Sequence, residues 1–142
     1  MADLSGRIEG ASHVYPVRVY YEDTDAGGVV HHTAYLRFAE RARTELLRLT
    51  GTDQSVLMAR RGVAFAVRRC EIDYRAPARL DDLLEVVTRL TGIGGASLRA
   101  EQTIRRAGMV LVRLLLRLAC IDRDGRPARL PAPVRAALEQ FT

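Results

Sequence analysis

The alternation of apolar and polar residues along the chain predicts one long helix and five strands. Over residues 33–50 apolar side chains recur every three or four positions, which is typical of a helix with one buried face. That face would consist of Tyr35, Phe38, Ala39, Ala42, Leu46 and Leu49. Alternation with a period of two predicts strands at residues 14–21 and 97–106. Strand-like segments follow the helix at residues 63–74, 83–90 and 109–121, and the last is the most continuously apolar, which predicts a central strand.

Turn and cap signals separate these segments and indicate the fold class. Thr33 and Gly51 are suited to begin and end the long helix, and Gly108 favours a tight hairpin or a bulge between the last two strands. A turn or short helix is predicted at residues 53–61, and a short helix at residues 131–141. A long helix followed by a run of strands is typical of an α+β domain, in which the helix packs on an antiparallel sheet.

The length of 142 residues fits one domain, predicted to comprise residues 14–142. Residues 1–13 are small and polar, so we expect a flexible N-terminus with an exposed His13. The apolar runs are too short to cross a bilayer, which argues against membrane insertion. Because the N-terminus also lacks the apolar stretch of a signal peptide, we expect a cytoplasmic protein.

Cysteine and charge content narrow the possible partners. Cys70 and Cys120 have no metal-binding or redox spacing and are expected to be small apolar residues with free thiols. The net charge is +5 and all 22 basic residues are arginine. These arginines are scattered among acidic residues, which argues against nucleic-acid binding but is compatible with an anionic small ligand such as coenzyme A.

Residues 22–32 carry the candidate chemistry. Directly before the long helix, three acidic residues are followed by two glycines and then by two histidines. These seven residues are Glu22, Asp23, Asp25, Gly27, Gly28, His31 and His32. The N-terminus of a helix offers unpaired N–H groups and positive potential, which stabilise a developing negative charge. A carboxylate beside such a terminus would pair a base or nucleophile with an oxyanion site, and acyl transfer needs both.

Two other interpretations of this segment stay open from the residues alone. The acids could simply form turns and cap the helix. Alternatively, the carboxylates and histidines could bind a divalent metal, although adjacent histidines on a helix chelate less readily than a pair four apart. A Ser-His-Asp hydrolase is disfavoured, because Ser97 lacks the context of a nucleophile elbow and no histidine follows His32.

The segment VRVYYEDTDAGGVVHHTAYLRFAERARTELLR, residues 17–48, resembles the signature of the YbgC-like, Tol-Pal-associated acyl-CoA thioesterases. These belong to the hydroxybenzoyl-CoA thioesterase branch of the hotdog superfamily, and the resemblance extends over about residues 14–138. It implies a hotdog fold, in which a curved five-stranded antiparallel sheet wraps one long helix. It also implies a homodimer or homotetramer with active sites at the dimer interface, an acyl-CoA substrate, and no metal or organic cofactor.

The resemblance also assigns roles to individual residues. It places the catalytic carboxylate on Asp25, as nucleophile or general base, with Tyr21 and the His32 ring orienting it or the attacking water. The N–H of His32 would hold the oxyanion. Substrate-binding positions implied by the resemblance are Gly27, Gly28, Val29 and Ser97.

The chain departs from the family pattern at two positions. His31 stands where family members commonly have tyrosine, and Ala34 stands in place of an asparagine. We expect Thr33 to compensate as a helix cap. The expected function is therefore acyl-CoA hydrolysis; the alternatives are an aryl-CoA thioesterase of hydroxybenzoyl type and a non-catalytic acyl-CoA or acyl-carrier-protein binding module.

Overall fold

The computed structural model describes residues 4–142, in which one long helix packs on a six-stranded antiparallel sheet. The strands are β1 (Arg7–Glu9), β2 (Ser12–Arg18), β3 (Ala64–Tyr74), β4 (Leu83–Ile93), β5 (Ser97–Arg106) and β6 (Met109–Ile121). The helices are α1 (Ala34–Leu49), α2 (Gln54–Arg61) and α3 (Ala132–Leu138), with single 3₁₀ turns at Tyr21–Asp23 and Glu139–Phe141. The sheet order is β1-β2-β4-β5-β6-β3, so β3 lies at one edge.

The N-terminal segment differs from the prediction of a flexible tail with an exposed histidine. Arg7–Glu9 pairs with β2 as a sixth strand, and β2 itself begins at Ser12. His13 is fully buried, and its Nε2 lies 2.6 Å from the carbonyl of Ser5. Gly10, with a φ of +59°, permits the reversal between the two strands. A three-residue edge strand is too short to produce a recognisable alternation, which is why the predicted count of five strands was wrong.

Helix α1 has the predicted bounds to within one residue at each end. Its apolar face is buried as expected except for Leu49 in the last turn, which is 37% exposed. Gly51 ends the helix with a φ of +79°, and its N–H donates to the carbonyl of Arg48. The N–H of Thr52 donates to the carbonyl of Leu47, and this bond at the helix end requires the left-handed conformation of Gly51.

The sheet confirms the predicted alternation. Leu98, Ala100, Gln102 and Ile104 of β5 all face the core. Gln102 is fully buried there, and it accepts a hydrogen bond from Arg43 while donating to the carbonyl of Ala39 and the hydroxyl of Thr88. The strands β5 and β6 form a hairpin whose turn has positive φ at Ala107 and Gly108, as the glycine predicted.

The two cysteines are at least partly buried, as expected of small apolar residues. Cys70 and Cys120 are free thiols, and burial raises the pKa of each. Cys120 is buried, whereas Cys70 is half-buried at the edge strand.

Within residues 4–142, no helix has both the length and the apolar character needed to cross a membrane.

Candidate active site

The segment that joins β2 to α1 is tied to one end of the sheet. The N–H of Val19 donates to the carbonyl of Asp82, and the N–H of Val30 donates to the carbonyl of Ala78, both at 2.8–2.9 Å. Within the segment, the N–H of His31 donates to the carbonyl of Asp23, and Thr24 pairs with Val30. These contacts close residues 24–30 into a lobe whose two ends lie side by side at the start of α1.

Asp25 lies at the base of this lobe with an exposed side chain. Its Oδ1 accepts the Gly27 N–H at 2.8 Å, and its backbone N–H donates to the carbonyl of Val29 at 2.9 Å. Gly28 has a φ of +77°, and its N–H closes the turn onto the carbonyl of Asp25. Within residues 4–142, Oδ2 of Asp25 makes no hydrogen bond, so one carboxylate oxygen is held in place while the other faces solvent.

His32 presents an unused backbone donor at the beginning of α1. The neighbouring N–H groups are satisfied, because Thr33 donates to Nδ1 of His31 and Ala34 donates to the carbonyl of His31. The N–H of His32 makes no hydrogen bond to any part of the described chain. A free N–H beside a helix N-terminus is the donor that an oxyanion requires.

The side chains around His32 differ in part from the expectation. The His32 ring stacks on the His31 ring with centroids 4.4 Å apart, and it makes no hydrogen bond to Asp25. Thr33 occupies the N-cap position of α1, as expected, but it makes no side-chain capping bond. Its backbone is already helical, and its hydroxyl lies 2.8 Å from Nδ1 of His31. His31, the departure from the family tyrosine, thus engages the residue that we expected to compensate for Ala34.

Tyr21 lies at the surface and makes no hydrogen bond to Asp25 within residues 4–142. It belongs to the 3₁₀ turn Tyr21–Asp23, its side chain is 83% exposed, and its phenol makes no hydrogen bond within residues 4–142. In this turn the side chain of Asp23 is buried, whereas that of Tyr21 points to solvent. The expected orienting contact between Tyr21 and Asp25 is therefore absent from the single chain.

Asp23 is buried and makes structural contacts. It is 5% exposed, its Oδ2 accepts the N–H of Tyr20 at 2.9 Å, and its Oδ1 lies 3.7 Å from Nη2 of Arg37. The described part of the chain contains no group of three or more His, Cys, Asp or Glu side chains placed to hold a metal ion.

The structure places Ser97 far from Asp25 within one chain. Ser97 begins β5, whereas the lobe lies near the opposite end of the sheet, where Arg106 ends β5 and its guanidinium contacts Asp82 at 2.7 Å. A ten-residue strand is about 30 Å long. Among the predicted substrate-binding residues, only Gly27, Gly28 and Val29 share the lobe with Asp25.

A cavity of about 270 Å³ lies between the C-terminal half of α1 and the sheet. Most of its wall is apolar, with Leu46, Leu47, Phe65, Val67, Leu90, Leu98, Leu118 and Leu138 among the lining residues. Arg43 also lines it; its Nη1 donates to Oε1 of Gln102 at 2.9 Å, and burial lowers the pKa of its guanidinium. Arg43 was not among the residues predicted from the sequence, although the polar Gln102 on a buried strand face was a signal for a buried polar partner.

Tyr74, the last residue of β3, also belongs to this site and was not predicted from the sequence. Its hydroxyl donates to the carbonyl of His32 at 2.9 Å, so it contacts the residue that carries the free N–H. Tyr74 stands before a proline-containing turn, and its position at a strand end gave no indication of this contact.

Comparison with known proteins identifies the family. The sequence model of the thioesterase-like superfamily matches residues 19–138 of this chain. The chain is 46% identical over 128 residues to the acyl-CoA thioesterase YbgC of Haemophilus influenzae, covering 89% of this chain and 94% of that protein. It is 48% identical over 134 residues to the acyl-CoA thioester hydrolase YbgC of Escherichia coli O157:H7, covering 89% and 95% respectively.

Solved structures agree with this assignment. The crystal structure of a probable thioesterase from Bartonella henselae superimposes with a TM-score of 0.81 at 40% identity, covering 84% of this chain and 99% of that one. The arrangement of one long helix on an antiparallel sheet is therefore the hotdog fold, as expected, with six strands rather than five. The chain belongs to the thioesterase-like superfamily and, within it, to the YbgC-like proteins.

Proposed function

We propose that this protein hydrolyses acyl-CoA thioesters to a carboxylic acid and free coenzyme A. One observation carries the proposal: the lobe of residues 24–30 brings a carboxylate with a free oxygen, on Asp25, to the same helix start as the free N–H of His32. Both curated relatives named above are described as acting on acyl-CoA thioesters, which supports the same substrate class for this chain.

In the proposed reaction, Asp25 acts at the thioester carbonyl by one of two routes. As a general base, it takes a proton from a water molecule whose oxygen attacks the carbonyl carbon. As a nucleophile, it bonds to that carbon itself and gives a mixed anhydride that water then hydrolyses. In either route the carbonyl oxygen becomes an oxyanion held by the N–H of His32, and the C–S bond breaks to release the thiolate of coenzyme A. The proposed reaction uses no metal and no organic cofactor.

We further propose that the complete site needs two chains. The edge strand β3 has no neighbour on its outer side within residues 4–142, and Val67 on it is 48% exposed. An unpaired edge of eleven residues is a template for pairing with another strand. Antiparallel pairing of β3 with its copy would place the Tyr74 end of one chain, where Asp25 lies, beside the Ala64 end of the partner.

The register across the sheet explains how Ser97 could then join the site. Ala66 of β3 is opposite Ala119 of β6, which is opposite Ser97 of β5. In the proposed homodimer, the end of the sheet that carries Ser97 in one chain adjoins the end that carries Asp25 in the other. Phe65 and Val67 line the cavity at this same end, so the cavity is the proposed acyl pocket. Its volume lies just below the usual range of about 300–1,000 Å³ for ligand pockets, which favours short and medium acyl groups.

The test replaces Asp25 with asparagine, which keeps the size of the side chain and removes its charge. Free thiol released from short, long and aromatic acyl-CoAs is measured for the wild type, for Asp25→Asn and for Glu22→Gln, an exposed acid in the same segment. We expect Asp25→Asn to lower kcat by about a thousandfold or more, with an unchanged circular dichroism spectrum and assembly. Glu22→Gln should retain nearly the wild-type rate.

Near-native turnover by Asp25→Asn would overturn the proposed mechanism. A wild-type protein that binds coenzyme A but releases no thiol from any of these substrates would instead be a binding module. Preference for the aromatic substrates would identify an aryl-CoA thioesterase. Light scattering of the wild type would test the homodimer and distinguish it from a homotetramer.

A further inference from the structure

Three arginines form a row across the solvent face of the sheet. Arg69 of β3 is directly opposite Arg117 of β6, and Arg117 is directly opposite Arg99 of β5. All three lie on the outer face, because their neighbours along each strand, such as Leu98 and Leu118, point into the core. With strands about 4.8 Å apart, the row extends about 10 Å across the sheet.

The charge of this row is only partly balanced. Arg69 forms an ion pair of 2.8 Å with Glu71, whereas neither Arg99 nor Arg117 forms an ion pair within residues 4–142. Glu101, the nearest acid along β5 on the same face, is engaged by Arg113 at 3.0 Å. Like charges placed directly opposite on neighbouring strands are destabilising, so a bound anion would relieve the repulsion.

The same arginines line a groove with space for a ligand. The groove has a volume of about 230 Å³, and Thr91 lies beside Arg99 in its wall. Thr91 and Arg99 also line a second hollow of about 260 Å³, which includes Gly94 and Ser97. A continuous surface therefore leads from Ser97, a predicted substrate-binding residue, to the row of arginines.

We propose that Arg99 and Arg117, with Arg69 at the edge of the groove, bind the phosphate groups of the coenzyme A portion of the substrate. This inference rests on the proposed function and specifies which arginines recognise the substrate. Guanidinium groups donate paired hydrogen bonds to phosphate oxygens, and such charge-assisted bonds are stronger than neutral ones. The pantetheine arm would then lie along the Thr91–Ser97 hollow toward the thioester.

The test separates phosphate recognition from the chemistry at the thioester. The double variant Arg99→Gln/Arg117→Gln is assayed with an acyl-CoA and with the matching acyl-pantetheine, which carries the same thioester and no phosphate. The matched control is Arg89→Gln, because Arg89 is an exposed arginine on the same face of β4, outside both hollows.

We expect the double variant to raise KM for the acyl-CoA at least about tenfold, with kcat within about twofold of the wild type. Its KM for the acyl-pantetheine should be unchanged, and its KM for the acyl-CoA should depend less steeply on salt concentration. Arg89→Gln should behave as the wild type with both substrates. Calorimetry should show a matching loss of affinity for free coenzyme A, a readout that does not require turnover.

Unchanged KM and unchanged affinity for coenzyme A in the double variant would overturn the inference. So would an equal rise in KM for both substrates, or the same rise in Arg89→Gln, since each would show an effect unrelated to phosphate. Failure of the proposed function would give a different result, because the wild type would then release no thiol from either thioester. Calorimetry would still report whether these arginines bind coenzyme A.

Discussion

The hydroxyl of Tyr74 donates a hydrogen bond of 2.9 Å to the backbone carbonyl of His32, which ties the end of the edge strand to the start of the long helix. The ring of Tyr74 also packs edge-on against that of Tyr35, with centroids 5.7 Å apart. Because the carbonyl of His32 is fixed, the backbone of His32 is restrained, and with it the free N–H in the preceding peptide. Tyr74 is in this sense a positioning residue for the proposed oxyanion site.

Replacing Tyr74 with phenylalanine should lower kcat by about two- to tenfold, the loss that corresponds to one neutral hydrogen bond of about 0.5–1.5 kcal/mol. KM for the acyl-CoA should change little, because the lost bond restrains a group that acts on the developing oxyanion. Thiol-release kinetics provide the measurement, and Tyr15→Phe on β2 is the matched control. A wild-type kcat in Tyr74→Phe would show that the helix start needs no support from β3.

Asp23 joins the two segments that flank the lobe. Its buried carboxylate accepts the N–H of Tyr20, and its carbonyl accepts the N–H of His31, so it joins the two sides of the lobe. Asp23→Ala should reduce the free energy of unfolding by about 1–3 kcal/mol, because the N–H of Tyr20 loses its acceptor. Urea denaturation measures this loss, and Glu22→Ala, which removes an exposed neighbour, should change stability by less than about 0.5 kcal/mol. Equal effects of the two changes would contradict a structural role for Asp23.

The pattern of apolar residues and turn signals was sufficient to predict α1 and the four long strands. Helix α1 needed only its 3.6-residue stripe and the glycine at residue 51, and β5 needed only its strict alternation. Both signals are local, since each comes from residues close together in sequence. The strand β1 left no such signal, because its three exposed residues form a strand only through pairing with β2.

The candidate site also contains one part that the local sequence predicts and another that it does not. Asp25, Gly27 and Gly28 lie in one stretch of sequence, and the lobe that joins them is closed by local hydrogen bonds, so the segment could be predicted. The contact between Tyr74 and His32 joins residues 42 positions apart and leaves no mark in the local pattern. The distance of Ser97 from Asp25 within one chain likewise follows only from the order of strands in the sheet.

The buried Gln102 and the half-buried Arg43 form a hydrogen-bonded pair at the wall of the proposed acyl pocket. Gln102→Leu would leave the Arg43 guanidinium largely buried without its 2.9 Å acceptor, so we expect a loss of about 2–4 kcal/mol in the free energy of unfolding. The double variant Arg43→Met/Gln102→Leu removes both the cation and its acceptor and should regain a substantial part of that loss. Urea denaturation of both variants tests this coupling; strictly additive losses would show that Gln102 does not serve Arg43.

Glu85 should make stability depend on pH in the acid range. Its carboxylate accepts a hydrogen bond from Arg7 at 2.8 Å and another from Arg105 at 3.1 Å, and these bonds, that from Arg7 foremost, hold the pKa of Glu85 below the ordinary 4.5. Because the folded pKa is the lower one, the ionised form favours the folded state. The contribution is therefore complete above about pH 4.5 and is lost as the pH falls through the folded pKa.

Glu85→Gln removes this contribution at every pH. The stability difference between the wild type and Glu85→Gln should be largest near pH 6 and shrink toward zero near pH 3, and it should stay below about 1 kcal/mol because the pair is partly solvated. Urea midpoints at several pH values measure the difference, with Glu22→Gln as the exposed control. A difference that stays constant from pH 6 to pH 3 would show that the loss comes from packing, since only the ionised carboxylate gains from Arg7 and Arg105.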